Sequence, residues 1–178
     1  MYTIDGKCQS ISKKLFTKKR NGIIKIDMFG IGIHKRIECG EIDLVIASIE
    51  RAARYNDGVK TIFYDIYLHD TNQKIGRCDL RIGMNEELYY AGNIGYRIFE
   101  DYRGHHYAYQ ACLKLFEIAK DEYEMDRLLI TCSPGNIASI KTCERLNGKL
   151  IGDEDVPKYH WLYKRGETHK LIYEYSLI

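Results

Sequence analysis

The chain has 178 residues, 45% hydrophobic and 29% charged, which fits a single globular domain over 1–178 with a sizeable core. Its net charge of +2 singles out no class of partner, and no apolar run approaches the ~20 residues of a membrane helix. Met1 to Gly6 lacks the apolar stretch of a secretory signal, so a soluble cytoplasmic protein is expected.

Residues 1–25 carry seven cations (Lys7, Lys13, Lys14, Lys18, Lys19, Arg20 and Lys25) against Asp5. An RNA-binding arm is one reading. Phe16 alone stands among the cations, short of the repeated aromatic interleaving that stacks bases, and Asn21-Gly22 is a hairpin signal, so a lysine-rich turn between short β segments over 1–37 is preferred. Ile23 to Phe29 is the clearest strand there. From Glu41 to Arg54, the positions Ile42, Val45, Ile46, Ile49, Ala52 and Ala53 have helical spacing, with a stop near Asn56-Asp57-Gly58. Strands are predicted over 61–68, 74–82 and 89–99, the third preceded by an acidic loop at Asn85-Glu86-Glu87. Apolar positions 108, 111, 112, 115, 118 and 119 predict a helix running to Lys120. Arg127 to Cys132 reads as a buried strand. Asn136 caps a helix over 137–146, and strands over 149–151 and 170–177 follow. The fold class is α+β, a mixed and mostly antiparallel sheet with helices on its faces.

The six cysteines (8, 39, 78, 112, 132 and 143) form no Cys-x-x-Cys pair and no zinc spacing, so no metal is expected. The informative stretch is Gly95 to Lys120, a strand, a short loop and a helix that begins in the loop. A helix start exposes free N–H groups, and its dipole adds positive charge, so the loop at Arg103-Gly104-His105-His106 suits a phosphate. Gly104 permits close backbone approach, and Arg103 can add a charge-assisted contact.

Arg103-Gly104-His105-His106-Tyr107-Ala108 resembles the acyl-CoA pyrophosphate loop, Q/R-x-x-G-x-G/A, of the GNAT N-acetyltransferase superfamily. Asn136-Ile137-Ala138-Ser139, followed by a helix ending at Asn147-Gly148, is similar to that superfamily's second motif, in the form of the ribosomal-protein N-terminal acetyltransferase branch. His106 departs from the pattern by standing where the family has a glycine.

The resemblance implies a GNAT-like sheet whose splayed strands form a CoA-binding V, with acetyl-CoA as co-substrate. Ile98 and Phe99 would line the pantetheine arm, residues 103–108 would hold the diphosphate, and Asn136 would contact the arm. The family often places a Tyr seven residues after the motif Asn to protonate the departing thiolate. Cys143 stands there, leaving Cys143 and Ser139 as donor candidates. No carboxylate occupies Tyr90 to Asn93, where some members carry a base, and Asp79 is mid-strand with its face undetermined. The acceptor pocket would be walled by residues 41–56 and by 153–168, which include Tyr159, His160, Trp161 and Tyr163. The implied activity is direct acetyl transfer to a primary amine of a small molecule or peptide, by a monomer or a homodimer, with nucleic acid disfavoured as partner. The rivals are a non-enzymatic CoA-binding module, motivated by the absent Tyr and Glu, and the RNA-binding reading.

Overall fold

The computed structural model describes residues 36–51 and 58–178. The basic segment and the Asn21-Gly22 hairpin lie outside them, as does the C-terminal part of the helix expected over 41–54. Strands β1 (Arg36–Cys39), β2 (Ile42–Glu50), β3 (Lys60–Leu68), β4 (Lys74–Ile82) and β5 (Ile94–Ile98) form a five-stranded sheet in chain order. Strands β6 (Arg127–Cys132), β7 (Lys149–Asp155) and β8 (His169–Ser176) form a second sheet in the order β6-β8-β7. The strand pairings within both sheets are antiparallel. The helices are α1 (Glu86–Ala91), α2 (Tyr107–Tyr123), α3 (Ile137–Arg145) and α4 (Trp161–Lys164). Among the described residues no helix is long and apolar enough to cross a membrane.

Two expectations are corrected. Residues 42–50 form strand β2 rather than a helix. Ile42, Asp43, Leu44 and Val45 are all buried, so this part of the strand is covered on both faces. A strand of that kind has no period-2 alternation, and a subset of its apolar residues falls by chance on helical spacing. Its β-branched residues fit a pleated surface. Asp43 is tolerated because Arg36 donates to it at 3.1 Å and His69 lies 2.8 Å from its other oxygen. Residues 42–50 therefore belong to the sheet and do not form a helical wall for an acceptor pocket. The second correction is at Tyr89–Ala91, the expected start of a strand, which lies in α1. The Asn85 side chain accepts from the Leu88 N–H at 2.9 Å, and Glu86 and Glu87 occupy the dipole-favoured first turn.

Helix α2 joins the two sheets. Its Ala111, Cys112, Leu115, Ile118 and Ala119 pack into one core with Cys78, Leu80 and Ile94 of the first sheet and Leu128, Ile130 and Cys132 of the second. Each fully buried Leu or Ile contributes about 2 kcal/mol. Residues of opposite parity point away from α2, and Leu129 accordingly meets Tyr89 and Tyr90 of α1 on the far face.

Asn93, 0% exposed, fastens the sheets where β5 begins. Its N–H donates to the Leu129 carbonyl at 2.7 Å, and its side-chain oxygen accepts from the Leu129 N–H at 2.8 Å. Its amide nitrogen donates to the carbonyls of Arg81 at 3.0 Å and Gly83 at 2.7 Å. Beyond this clamp β5 continues along β4 and β6 continues along β8, so the two strands separate. Asn93→Ala breaks all three side-chain bonds and strands their buried partners. It should cost ~3 kcal/mol, about 10 °C in Tm for a chain of this size, measured by thermal unfolding. A fall under about 2 °C would contradict the role of the clamp.

Candidate functional site

The opening between β5 and β6 has main-chain groups on both walls. The Arg81 N–H donates to the Asn93 carbonyl at 2.7 Å, and the Phe99 N–H donates to the Ile75 carbonyl at 2.8 Å. Odd-numbered residues of β5 thus bond β4, and the N–H and C=O groups of Tyr96 and Ile98 point into the opening. On β6, Leu129 bonds across to Asn93, so the main chain of Thr131 faces the same gap. Arg103 Nε donates to the Ile98 carbonyl at 3.3 Å, tying the following loop back to the wall.

After Phe99 the chain makes one 3-10 turn over Glu100–Tyr102 and then the loop. Gly104 has φ +88 and His106 has φ +60, both left-handed. Glycine takes that conformation freely, whereas a residue with a Cβ costs ~1 kcal/mol or more there. His106 is thus strained, and its strained conformation starts α2 without a side-chain cap. The first-turn N–H groups of Tyr107, Ala108 and Tyr109 have no intrahelical acceptor. A Cβ built on Gly104 meets nothing within 4 Å, so the loop is open to a ligand. The rings of His105 and Tyr107 stack with centroids 5.4 Å apart beside it.

Helix α3 closes the α2 side of the opening. The Asn136 side chain accepts from the Ser139 N–H at 3.2 Å, forming the predicted cap. Ser139 is buried, and its Oγ lies 2.8 Å from the hydroxyl of Tyr96, which reaches over from β5. Tyr96 was not identified from the sequence as a site residue. Its only sequence signal is its parity in β5, which puts its side chain on the α2 face. Burial raises its phenol, so it stays neutral. Cys143 is 0% exposed, and its carbonyl accepts from the Tyr175 hydroxyl at 3.1 Å. The neighbouring Cys132 sulfur, which it hydrogen-bonds, and burial both push the Cys143 thiol up.

On the face away from α2 lies a cleft of about 440 Å³ lined by Tyr89, Tyr90, Leu129 and Ile151, with the Arg127–Glu174 pair, 3.3 Å apart, at its edge. The 153–168 segment packs on α1 beside it. His160 is buried, accepts from the Leu162 N–H at 3.2 Å and lies 2.7 Å from Glu87. It therefore caps α4 and anchors the segment. Tyr159 bonds Glu86.

A buried, protonated thiol alkylates slowly. Cys143 should resist iodoacetamide in the folded protein at about pH 8, close to the ~8.5 of a free thiol, and react once the chain is unfolded in guanidinium, as read by peptide mass spectrometry. Labelling of native Cys143 at the rate of a free thiol would contradict this placement.

Residues 37–149 match the family described as acetyltransferase (GNAT) domain. None of the curated proteins matches the chain. Among solved structures, a probable acetyltransferase is similar at 26% identity and TM-score 0.51, over 65% of this chain and 62% of its own. RimL, a ribosomal L7/L12 alpha-N-protein acetyltransferase solved with coenzyme A, is similar at 22% identity and TM-score 0.51, again over 65% and 62%. An acetyltransferase from Agrobacterium tumefaciens is similar at 18% identity and TM-score 0.55, over 88% of this chain and 99% of its own. The chain thus spans less than two thirds of the length of the first two of these relatives. With the family match running from β1 to the start of β7, through the opened strands, the left-handed loop and the Asn136 helix, the chain belongs to the GNAT acetyltransferase family.

Proposed function

We propose that this protein transfers an acetyl group from acetyl-CoA directly to a primary amine. The observation that carries the reading is the opening between β5 and β6, walled by main-chain amides and ending at the exposed loop 103–106 that leads into the first turn of α2. A diphosphate fits the loop, because the N–H groups of the first turn converge where Gly104 adds no side chain and nothing crowds it. In this reading residues Arg103, Gly104, His105, His106, Tyr107 and Ala108 hold the diphosphate. Ile98 and Phe99 border the pantetheine arm, and Asn136 meets it from the opposite wall. Bound acetyl-CoA supplies an activated acetyl thioester.

Ser139 is the proton donor we favour. Its hydroxyl stands at the β5–α3 junction, held on the main-chain side by Asn136 and supported by the neutral phenol of Tyr96, 2.8 Å away. A proton leaving Ser139 for the departing sulfur is replaced along that bond. Cys143, with its side chain in the core, packs the helix in this account. The acceptor is a primary amine entering from the α1 face, and a peptide α-amine is the form we propose. The RimL likeness supports that choice, since that protein acts on a protein α-amine.

Gly104→Asp places a side chain and a negative charge where the diphosphate docks. Its affinity for acetyl-CoA by calorimetry should fall at least about 100-fold, ~2.7 kcal/mol. Unchanged affinity would remove the basis for the reading. Ser139→Ala should lower kcat by about 100-fold with acetyl-CoA affinity retained, the usual scale of a lost proton donor. Cys143→Ala should keep kcat within about threefold, and the reverse ranking would move the donor to the thiol.

A further inference from the structure

An ammonium group has no lone pair, so attack on a thioester near neutral pH needs a group that takes its proton. The loop carboxylates Glu100 and Asp101 lie in the exposed turn after Phe99. Asp79 is differently placed. It pairs across strands with Gly95, and the missing side chain there lets its carboxyl lie over β5: a Cβ on Gly95 would sit 2.6 Å from Oδ1. Cys78 and Leu80 point to α2, so Asp79 stands on the other face of β4, and the α1 cleft lies on the side of the second sheet that also faces away from α2. The next residue along β5 is Tyr96, whose main chain faces the opening.

The Asp79 side chain is 17% exposed, and its Oδ2 is buried without a hydrogen bond. Arg81 Nη2 lies 2.9 Å from that oxygen in an ion pair whose geometry makes no hydrogen bond. The other guanidinium nitrogen of Arg81 donates to the carbonyls of Ala91 at 3.0 Å and Gly92 at 2.9 Å, which fixes the cation at the end of α1. Other charged groups on this face include Arg77 on β4, Arg97 opposite it on β5, and Asp65 opposite it on β3, itself 2.7 Å from Lys74; farther across the sheet come Asp43 and Glu50 of β2 and Arg36 and Glu38 of β1. Phe63 of β3 stands directly across from Asp79. Burial lifts the carboxyl above its ordinary range, outweighing the lowering by Arg81, by Arg77 and by a hydrogen bond from the Gly95 main chain. A carboxylate lifted in this way is a stronger base than a free one.

We propose that Asp79 accepts the proton of the incoming ammonium, a role that rests on the acetyl-transfer reading above and assigns its base. One ammonium proton moves to Asp79 and passes from there to solvent. The nitrogen–carbon bond forms as the carbon–sulfur bond breaks. The second nitrogen proton balances the departing sulfur, directly or by exchange through Ser139 and Tyr96. Charge and atoms close with amide, free thiol and one released proton.

The test compares wild type and Asp79→Asn on glycinamide, an acceptor small enough to enter any amine site, with an amine titrating near the ~8 of an α-amino group. Calorimetry should give equal acetyl-CoA affinity in both proteins. At about pH 6.5 the variant should be roughly 100-fold slower. The gap should narrow to under about tenfold near pH 9, because free amine then needs no base. Carbon-13 NMR of the ligand-free wild type should show one carboxyl, absent from the variant, titrating above the ordinary aspartate range. A deficit that is the same at every pH, no deficit, or an ordinary titration of Asp79 would overturn the assignment. So would a wild type that binds acetyl-CoA but leaves glycinamide unacetylated. Failure of the wild type to bind acetyl-CoA would instead defeat the acetyl-transfer reading itself.

Discussion

One buried amide sets the shape of the candidate site. Asn93 satisfies Leu129 on one side and the carbonyls of Arg81 and Gly83 on the other, so β5 and β6 meet at a single point and then part. Strand edges left open in a protein interior would strand unpaired N–H and C=O groups, which costs free energy for each group. The clamp confines that exposure to one wedge, where a ligand rich in amides can pair with it. Helix α2 makes the wedge affordable by packing one apolar face against both sheets, so the halves stay together although their strands do not pair.

The same separation divides the polar groups between two faces. On the α2 face, Tyr96 and Ser139 meet at 2.8 Å between β5 and α3. On the other face, Asp79 lies across Gly95, and α1 with Arg127, Leu129, Ile151 and Glu174 of the second sheet lines a cleft. Period-2 alternation in β4 and β5 produces this arrangement, sending Tyr96 one way and Asp79 the other. A reaction that must give a proton to a leaving sulfur and take one from an arriving nitrogen has use for groups on opposite sides of the scissile bond.

Much of this was legible in the sequence where local chemistry is strong. The Asn136 cap, the helix after residues 103–106 and the strands over 61–68, 74–82 and 127–132 rest on capping and periodicity, which act over a few residues. The strand at 42–50 was hidden because burial on both faces erases alternation, and Asp43 needed Arg36 and His69 to be tolerated. Helix α1 was announced by Asn85-Glu86-Glu87, a cap followed by two acidic residues, but the aromatic Tyr89-Tyr90 outweighed it in a strand reading. The clamp at Asn93, the Tyr96–Ser139 contact and the Asp79–Gly95 juxtaposition depend on strand register. Register follows from the assembled sheet, and no short stretch of this chain specifies it.

The central claim is that the diphosphate of acetyl-CoA docks on main-chain amides where residues 103–108 enter α2. Residue-resolved amide hydrogen exchange, with and without acetyl-CoA, addresses it most directly. The account predicts that protection on binding is greatest at Gly104 to Tyr109, with a lesser gain along Tyr96 to Ile98. Protection centred elsewhere, with Gly104 to Tyr109 exchanging as in the free protein, would contradict it.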